Sequence, residues 1–336
     1  MNENEARSVV DGLLSQFGQL SWESSPGPGQ RTAGPSALFR YGNSQYKVVL
    51  EYASNGSPKS INEFAGRMGE PLNNKELTIL VAPFISDRGR SICMKRGIAF
   101  VDLSGNAYIR TADLLIDRWG RENRFKAVRK QVSMFSTKSA WVIRNMLSSP
   151  EKGWTTKELA EASKVSLAQV FKVTEALEGE DYMTKARGDL RLIDAPALLD
   201  AWASAYRYDE GGVTGYYSSF KEREEVFDRL RQCPKCDYAL TLGAAASLVA
   251  PAVRSTDVYV YSKGIDALKD ALQLVPVEFG GNIYVIGPRD EAVLRGTRTI
   301  EGLKVVSDLQ LYLDLYNYPQ RGREQAEEVR RQALRF

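Results

Sequence analysis

The sequence predicts a multidomain chain of α/β and α+β type, and three observations point that way. Short apolar runs alternate with helical spacings over residues 36–110, two capped helices and a basic hairpin follow over 139–193, and a second alternation fills the remainder from about 206. At 336 residues the chain exceeds one ordinary domain, and roughly 150 residues per domain gives two or three. The divisions read as 1–117, 118–200 and 206–336. Hydrophobic residues at 43% and charged residues at 26% leave enough apolar material for real cores. The apolar stretch at 238–253 is interrupted by Thr, Ser, Gly and Pro and falls short of the roughly 20 residues a membrane span needs. The start, MNENEARSVV, lacks the basic opening and apolar run of a signal peptide, so the expected compartment is the cytoplasm, with no membrane partner.

The first part opens with apolar residues at Val9, Val10, Leu13, Leu14 and Phe17, a helical spacing over 6–20. SSPGPGQRTAGP at 24–35 is loop material. Strands are expected at 37–41 and 46–52, a helix at 60–68, a buried strand at 77–85, a helix at 88–96 and a strand at 98–103. Gly105-Asn106 then suits a tight turn into a last strand at 107–110.

In the middle part, residues 118–191 carry 15 Lys/Arg against 9 Asp/Glu, a net +6 in a chain whose total is +3. Basic charge is concentrated there, as contact with phosphates requires. Ala140, Ile143, Met146 and Leu147 form one helical face, SSPEKGW breaks the chain, and Thr155 or Thr156 can cap the next helix. A short turn at 163–165 and a new cap at Ser166 start a second helix that ends at Leu177-Glu178-Gly179. Val165, Val170, Val173 and Leu177 are expected to pack inward, leaving Ser166, Ala168, Gln169 and Lys172 on the outer surface of its N-terminal part. A hairpin over 182–193 turning at Arg187-Gly188-Asp189 carries Lys185, Arg187 and Arg191. This is the order of a winged helix-turn-helix, whose recognition helix enters the major groove while a basic wing reaches phosphates. Gln169 can pair bidentately with adenine, and Lys172 can contact guanine or phosphate. The expected partner is double-stranded DNA.

Histidine is absent. That removes the commonest general base, the Ser-His and Cys-His nucleophile pairs and every His-containing metal site. Of three cysteines, Cys233 and Cys236 form a CPKC pair that could supply half of a thiolate zinc site completed by another chain. The plainer reading is reduced surface thiols on a helix-terminating turn. No cofactor, metal ligand or catalytic residue is assigned.

The first domain resembles the restriction-endonuclease-like fold, which also sets a helix beside a mixed sheet of short elements. Active members hold Mg²⁺ with an Asp and a second acidic residue that is followed two positions on by a Lys. The nearest counterpart is Glu51-Tyr52-Ala53, where Ala replaces the Lys, and no Asp lies on 37–41. Asp102, in FVDLSGN, reads as the cap of the following turn. The resemblance therefore implies a nuclease-like scaffold without a complete active site.

In the last part, helices are expected at 221–231, 238–248 and 266–274, and strands at 257–261, 282–286 and 303–306. Ser307-Asp308 caps a helix at 309–316, and after Pro319 the chain closes with QRGREQAEEVRRQAL. VVSDLQLYLDLYNYPQRGREQAEE at 305–328 and YALTLGAAAS at 238–247, with the helices and hairpin upstream, resemble the AbiEi-type antitoxins of type IV toxin–antitoxin systems. The resemblance implies an autorepressing transcriptional regulator. It also implies a functional rather than direct link to a nucleotidyltransferase-like toxin, and it is compatible with a homodimer. Two other classes stay open: a metal-dependent nuclease working through Glu51, and a protein-interaction scaffold.

Overall fold

A computed structural model of the chain describes residues 3–23, 34–68, 75–125, 134–186, 188–253 and 256–336. It is a mixed α/β structure with twelve helices and three sheets among the described residues, and no sheet closes into a barrel. The chain divides into two compact units, Met1–Val132 with Thr174–Thr184, and Ser133–Val173 with Lys185–Phe336.

In the first unit, α1 (Glu3–Leu14) precedes a seven-stranded sheet of β1 (Gln19–Trp22), β2 (Ser36–Tyr41), β3 (Ser44–Tyr52), β4 (Glu76–Ala82), β5 (Ala99–Asp102), β6 (Ala107–Arg110) and β7 (Leu115–Arg118). The strands lie in chain order, antiparallel except for the parallel pairs β3–β4 and β4–β5. Parallel strands need crossovers, and these are α2 (Pro58–Arg67) and α3 (Asp87–Arg96). Strand β4 reads as one apolar run because both its faces are covered. Leu77, Ile79 and Val81 join Val10, Leu13 and Leu14 of α1, while Leu80 and Ala82 join Ile61 and Phe64 of α2 and Cys93 of α3. Ser57 caps α2 with Pro58 at its first position, and α3 runs from a Ser86 cap to Gly97, left-handed at φ 67°.

Residues 174–184 belong with this unit. Lys59 pairs with Glu178 at 2.8 Å, Asn62 donates to Asp181 at 2.6 Å, and Arg88 donates to the carbonyls of Glu180 and Asp181 while lying 4.2 Å from the Tyr182 ring centroid.

One sequence expectation needs correction here. The helical spacing over 6–20 ends at Leu14, and Gln19–Trp22 is a strand paired with β2, because Leu20 and Trp22 have a sheet edge to join. Leu115–Arg118, which carries no expectation from the sequence, is a strand paired with β6.

The second unit contains α4 (Thr137–Leu147), α5 (Thr156–Ser163), the first part of α6 (Leu167–Gly179), and the hairpin strands β8 (Met183–Ala186) and β9 (Asp189–Leu192), β8 straddling the division. There follow α7 (Ala195–Ala205), β10 (Val213–Tyr217), α8 (Arg223–Arg231), β11 (Ala239–Thr241), α9 (Leu242–Val249), β12 (Val258–Tyr261), α10 (Asp266–Leu272), β13 (Val275–Pro276), β14 (Ile283–Ile286), β15 (Arg298–Ile300), β16 (Leu303–Val305), α11 (Asp308–Tyr316) and α12 (Gly322–Val329). The seven later strands form one mixed sheet in the order β13-β10-β14-β12-β11-β16-β15.

Helix α11 is the centre of this part. It is buried from Leu309 to Tyr316, Gln310 and Asp314 included, and it packs against α7, α9 and α12. The expected helix at 238–248 is a strand followed by a helix. The break falls at Leu242, held left-handed at φ 47° where β11 turns into α9. Helix α7 and strand β10 carry no expectation from the sequence.

Candidate nucleic-acid interface

The segment from α4 to β9 builds three helices and a hairpin from local rules. Thr155 closes a capping box on α5: its Oγ1 accepts from the Glu158 amide at 3.2 Å and its own amide donates to Glu158 Oε2 at 2.9 Å. Helix α5 stops at Ser163 because Lys164 turns left-handed at φ 53°. Ser166 then starts α6, its Oγ accepting from the Gln169 amide at 3.2 Å. Asn145 of α4 donates to Ser163 Oγ at 3.0 Å and fixes α4 against the end of α5.

Between α4 and α5, Trp154 pairs antiparallel with Leu190 through bonds of 3.0 and 2.8 Å, adding a third strand position to the β8–β9 hairpin. Asp189 lies against Gly153: a Cβ there would stand 2.1 Å from Asp189 Oδ1, so a side chain at 153 would turn that carboxylate away.

The residues expected to touch DNA fall as follows. Ser166, Ala168 and Lys172 are exposed on the N-terminal part of α6. Gln169 is half-buried, and its amide donates to Ser139 Oγ of α4 at 3.3 Å, so it does not point outward with the others. Lys185 is half-buried with its Nζ 5.1 Å from the Phe171 ring centroid. Arg191 is exposed and ion-paired with Asp189. Arg187, and the basic residues Lys126, Arg129 and Lys130, lie outside the described residues. Val170, Val173 and Leu177 are buried, whereas Val165 is half-buried. Leu167 and Phe171, which carry no expectation from the sequence, are 55% and 58% exposed. Their one-turn spacing was visible, but it is offset from the buried face.

Behind this surface, α4 is seated on α11 by a buried polar cluster. Arg144 donates to Gln310 Oε1 at 2.8 Å, and Gln310 Nε2 donates to the Tyr206 hydroxyl at 2.8 Å and to Asp314 Oδ1 at 2.6 Å. Asp314 also accepts from the hydroxyls of Thr241 and Tyr261. Burial lowers the Arg144 guanidinium from its ordinary range, and burial lifts Asp314 to about 7 in spite of three donors and the nearby Arg144 charge. The guanidinium lies 5.2 Å from the Trp202 ring centroid. Arg295 donates to the Ala162 carbonyl at 2.6 Å and secures α5 to the same part of the unit.

The carboxylates of the first unit do not converge. Glu51 is half-buried on β3, and the Ala53 amide donates to the Val81 carbonyl at 2.9 Å. Strand β2 carries no carboxylate. Asp102 is fully buried and caps the β5–β6 turn, accepting from the Asn106 amide at 2.9 Å, the Asn106 side chain at 2.8 Å and the Ile85 amide at 3.1 Å. Among the described residues no group of three or more His, Cys, Asp or Glu is placed to hold a metal, and no helix is long and apolar enough to cross a membrane.

The CPKC pair is neither reduced nor wholly at the surface. Cys233 and Cys236 are bonded to each other in the turn after α8, with Cys233 half-buried and Cys236 buried. Neighbouring thiols three residues apart can reach each other as readily as a metal, which spacing alone does not decide.

The second unit thus combines α4, α5 and the start of α6 with a mixed α/β region. Residues 191–335, from β9 through the whole seven-stranded sheet to the last helix, match the family described as transcriptional regulator, AbiEi antitoxin, type IV toxin–antitoxin system. The match spans less than half of the chain and begins after α6. No curated protein and no solved structure matches the chain.

Proposed function

We propose that the chain is a DNA-binding transcriptional regulator of the type IV antitoxin kind, repressing its own operon through a winged helix-turn-helix over residues 139–193. The observation that carries this reading is the order helix, Trp154 bridge, helix, capped helix and hairpin, with Leu190 of the hairpin paired to Trp154. The adjoining family match supports a regulator. Ser166, Ala168 and Lys172 face the duplex from α6, and Lys185 and Arg191 from the wing; Arg187, outside the described residues, is assigned to the same contact from its place in the sequence. Gln169 contributes a base contact only on exchanging its bond to Ser139. The first unit serves as a nuclease-like scaffold without hydrolytic chemistry, since Glu51 has neither an acidic partner on β2 nor a Lys at position 53. The test is a mobility-shift titration with the duplex upstream of its own gene, paired with a reporter driven by that duplex. Retention of that fragment over unrelated DNA and a fall in reporter output are expected, and neither occurring refutes the reading.

A second reading has one observation in its favour. Leu167 and Phe171 leave an apolar spot on the outward face of α6, as a protein-interaction module would.

A further inference from the structure

The outward face of α6 differs from a hydrogen-bonding recognition surface. Leu167 and Phe171 stand one helical turn apart, at a spacing that sets side chains side by side, and each exposes more than half of its surface. Ala168, beside Leu167, is exposed as well. The residues able to read a base by hydrogen bonds are largely committed elsewhere. The Gln169 amide donates to Ser139 Oγ, and the Ser166 oxygen accepts from the Gln169 amide as the helix cap. Cations bracket the apolar spot: Lys172 is exposed next to Phe171, and Lys185 Nζ lies 5.1 Å from the Phe171 ring centroid. A surface with an apolar centre and cationic margins complements a groove with an apolar feature on its floor and phosphates along its rims.

The major groove offers one such feature, the C5-methyl group of thymine. We infer that Leu167 and Phe171, with Ala168, are the specificity-determining residues of this helix and read thymine methyl groups in the major groove, while Lys172 and Lys185 contact the flanking phosphates. This rests on the DNA-binding reading above. It adds that base preference comes from burial of methyl groups against apolar side chains rather than from hydrogen bonds by Gln169. A protein groove would also accept Leu167 and Phe171, but it gives no reason for the two lysines at their margin, and a duplex does.

The full chain is used to select sites from a random duplex library, and the enriched site is then synthesised with each dT in turn replaced by dU, which removes the methyl and leaves every hydrogen-bonding group. At one or two positions dU should weaken binding about fourfold, the factor for losing one buried methyl-sized group. Phe171→Ala, and separately Leu167→Ala, should bind the dT and dU duplexes alike while keeping the parent's thermal transition, since both side chains are exposed. If salt-dependent binding persists but dU is without effect at every position, or selection yields no base preference, the methyl reading fails and DNA contact stands. If no duplex binds in a salt-dependent way, both readings fail and the apolar spot belongs to a protein partner.

Discussion

Replacing Asp314 by Asn tests the polar cluster that seats α4 on α11. Burial holds the Asp314 carboxyl at about 7 against an ordinary 3.8, so the folded chain keeps a proton that the unfolded chain has released. Because the folded pKa lies above the unfolded one, the contribution of this group is full below about pH 4 and is lost as pH rises towards 7. A displacement of that size corresponds to roughly 4 kcal/mol in all, at about 1.36 kcal/mol per tenfold change in proton affinity. Between pH 5 and pH 8 the stability of the parent relative to Asp314→Asn should therefore fall by about 3 kcal/mol. Asn cannot titrate; it keeps Oδ1 as the acceptor for Tyr261 and Gln310 and sets Nδ2 against the Thr241 hydroxyl, which must then accept, a change in bonding that does not vary with pH. The assay is urea unfolding of both proteins at half-unit pH steps. A difference that stays constant across that range would mean that Asp314 is ionised throughout, held by Arg144, and would refute the reasoning.

Three further outcomes follow from the geometry. Thr155→Ala removes the Oγ1 half of the capping box on α5, leaving the backbone bond from residue 155 to Glu158, and should lower stability by about 1 kcal/mol, read as a shift in urea midpoint without a change in slope. After mild reduction, an alkylating reagent should label Cys233 before Cys236 and leave Cys93 untouched until denaturation, because Cys93 is buried and its thiol is pushed up to about 12; early labelling of Cys93 in the native protein would contradict this packing. Incubation with supercoiled DNA and Mg²⁺ or Mn²⁺ should leave the DNA intact, and cleavage that vanishes in Glu51→Ala would reinstate a nuclease.

The parts of the fold that were legible are those set by neighbours in the chain. Ser166, Ser307 and Thr155 announce their helices because a cap bonds within three residues of itself. The alternation over β2 and the apolar run of β5 are equally local. Elements that depend on distant partners were not legible: β1 is a strand because β2 offers an edge, and the run at 238–248 splits at Leu242, where periodicity alone cannot separate a short buried strand from a helix. The same division runs through the candidate site. Spacing places Ser166, Ala168 and Lys172 on the outer surface of α6, but the inward turn of Gln169 depends on Ser139, thirty residues away on another helix. Nothing in the spacing of Arg144, Tyr206, Gln310 and Asp314 announces that they meet.

The most direct measurement of DNA contact by the hairpin and α6 is the salt dependence of duplex binding for the parent and for a Lys185→Ala, Arg187→Ala, Arg191→Ala variant, by mobility shift across a series of KCl concentrations. Each lost phosphate contact should flatten the log–log slope by about 0.9, so the triple variant should lose up to ~2.7 and bind all sequences more weakly. Equal slopes and affinities for the two proteins would contradict a DNA-contacting wing.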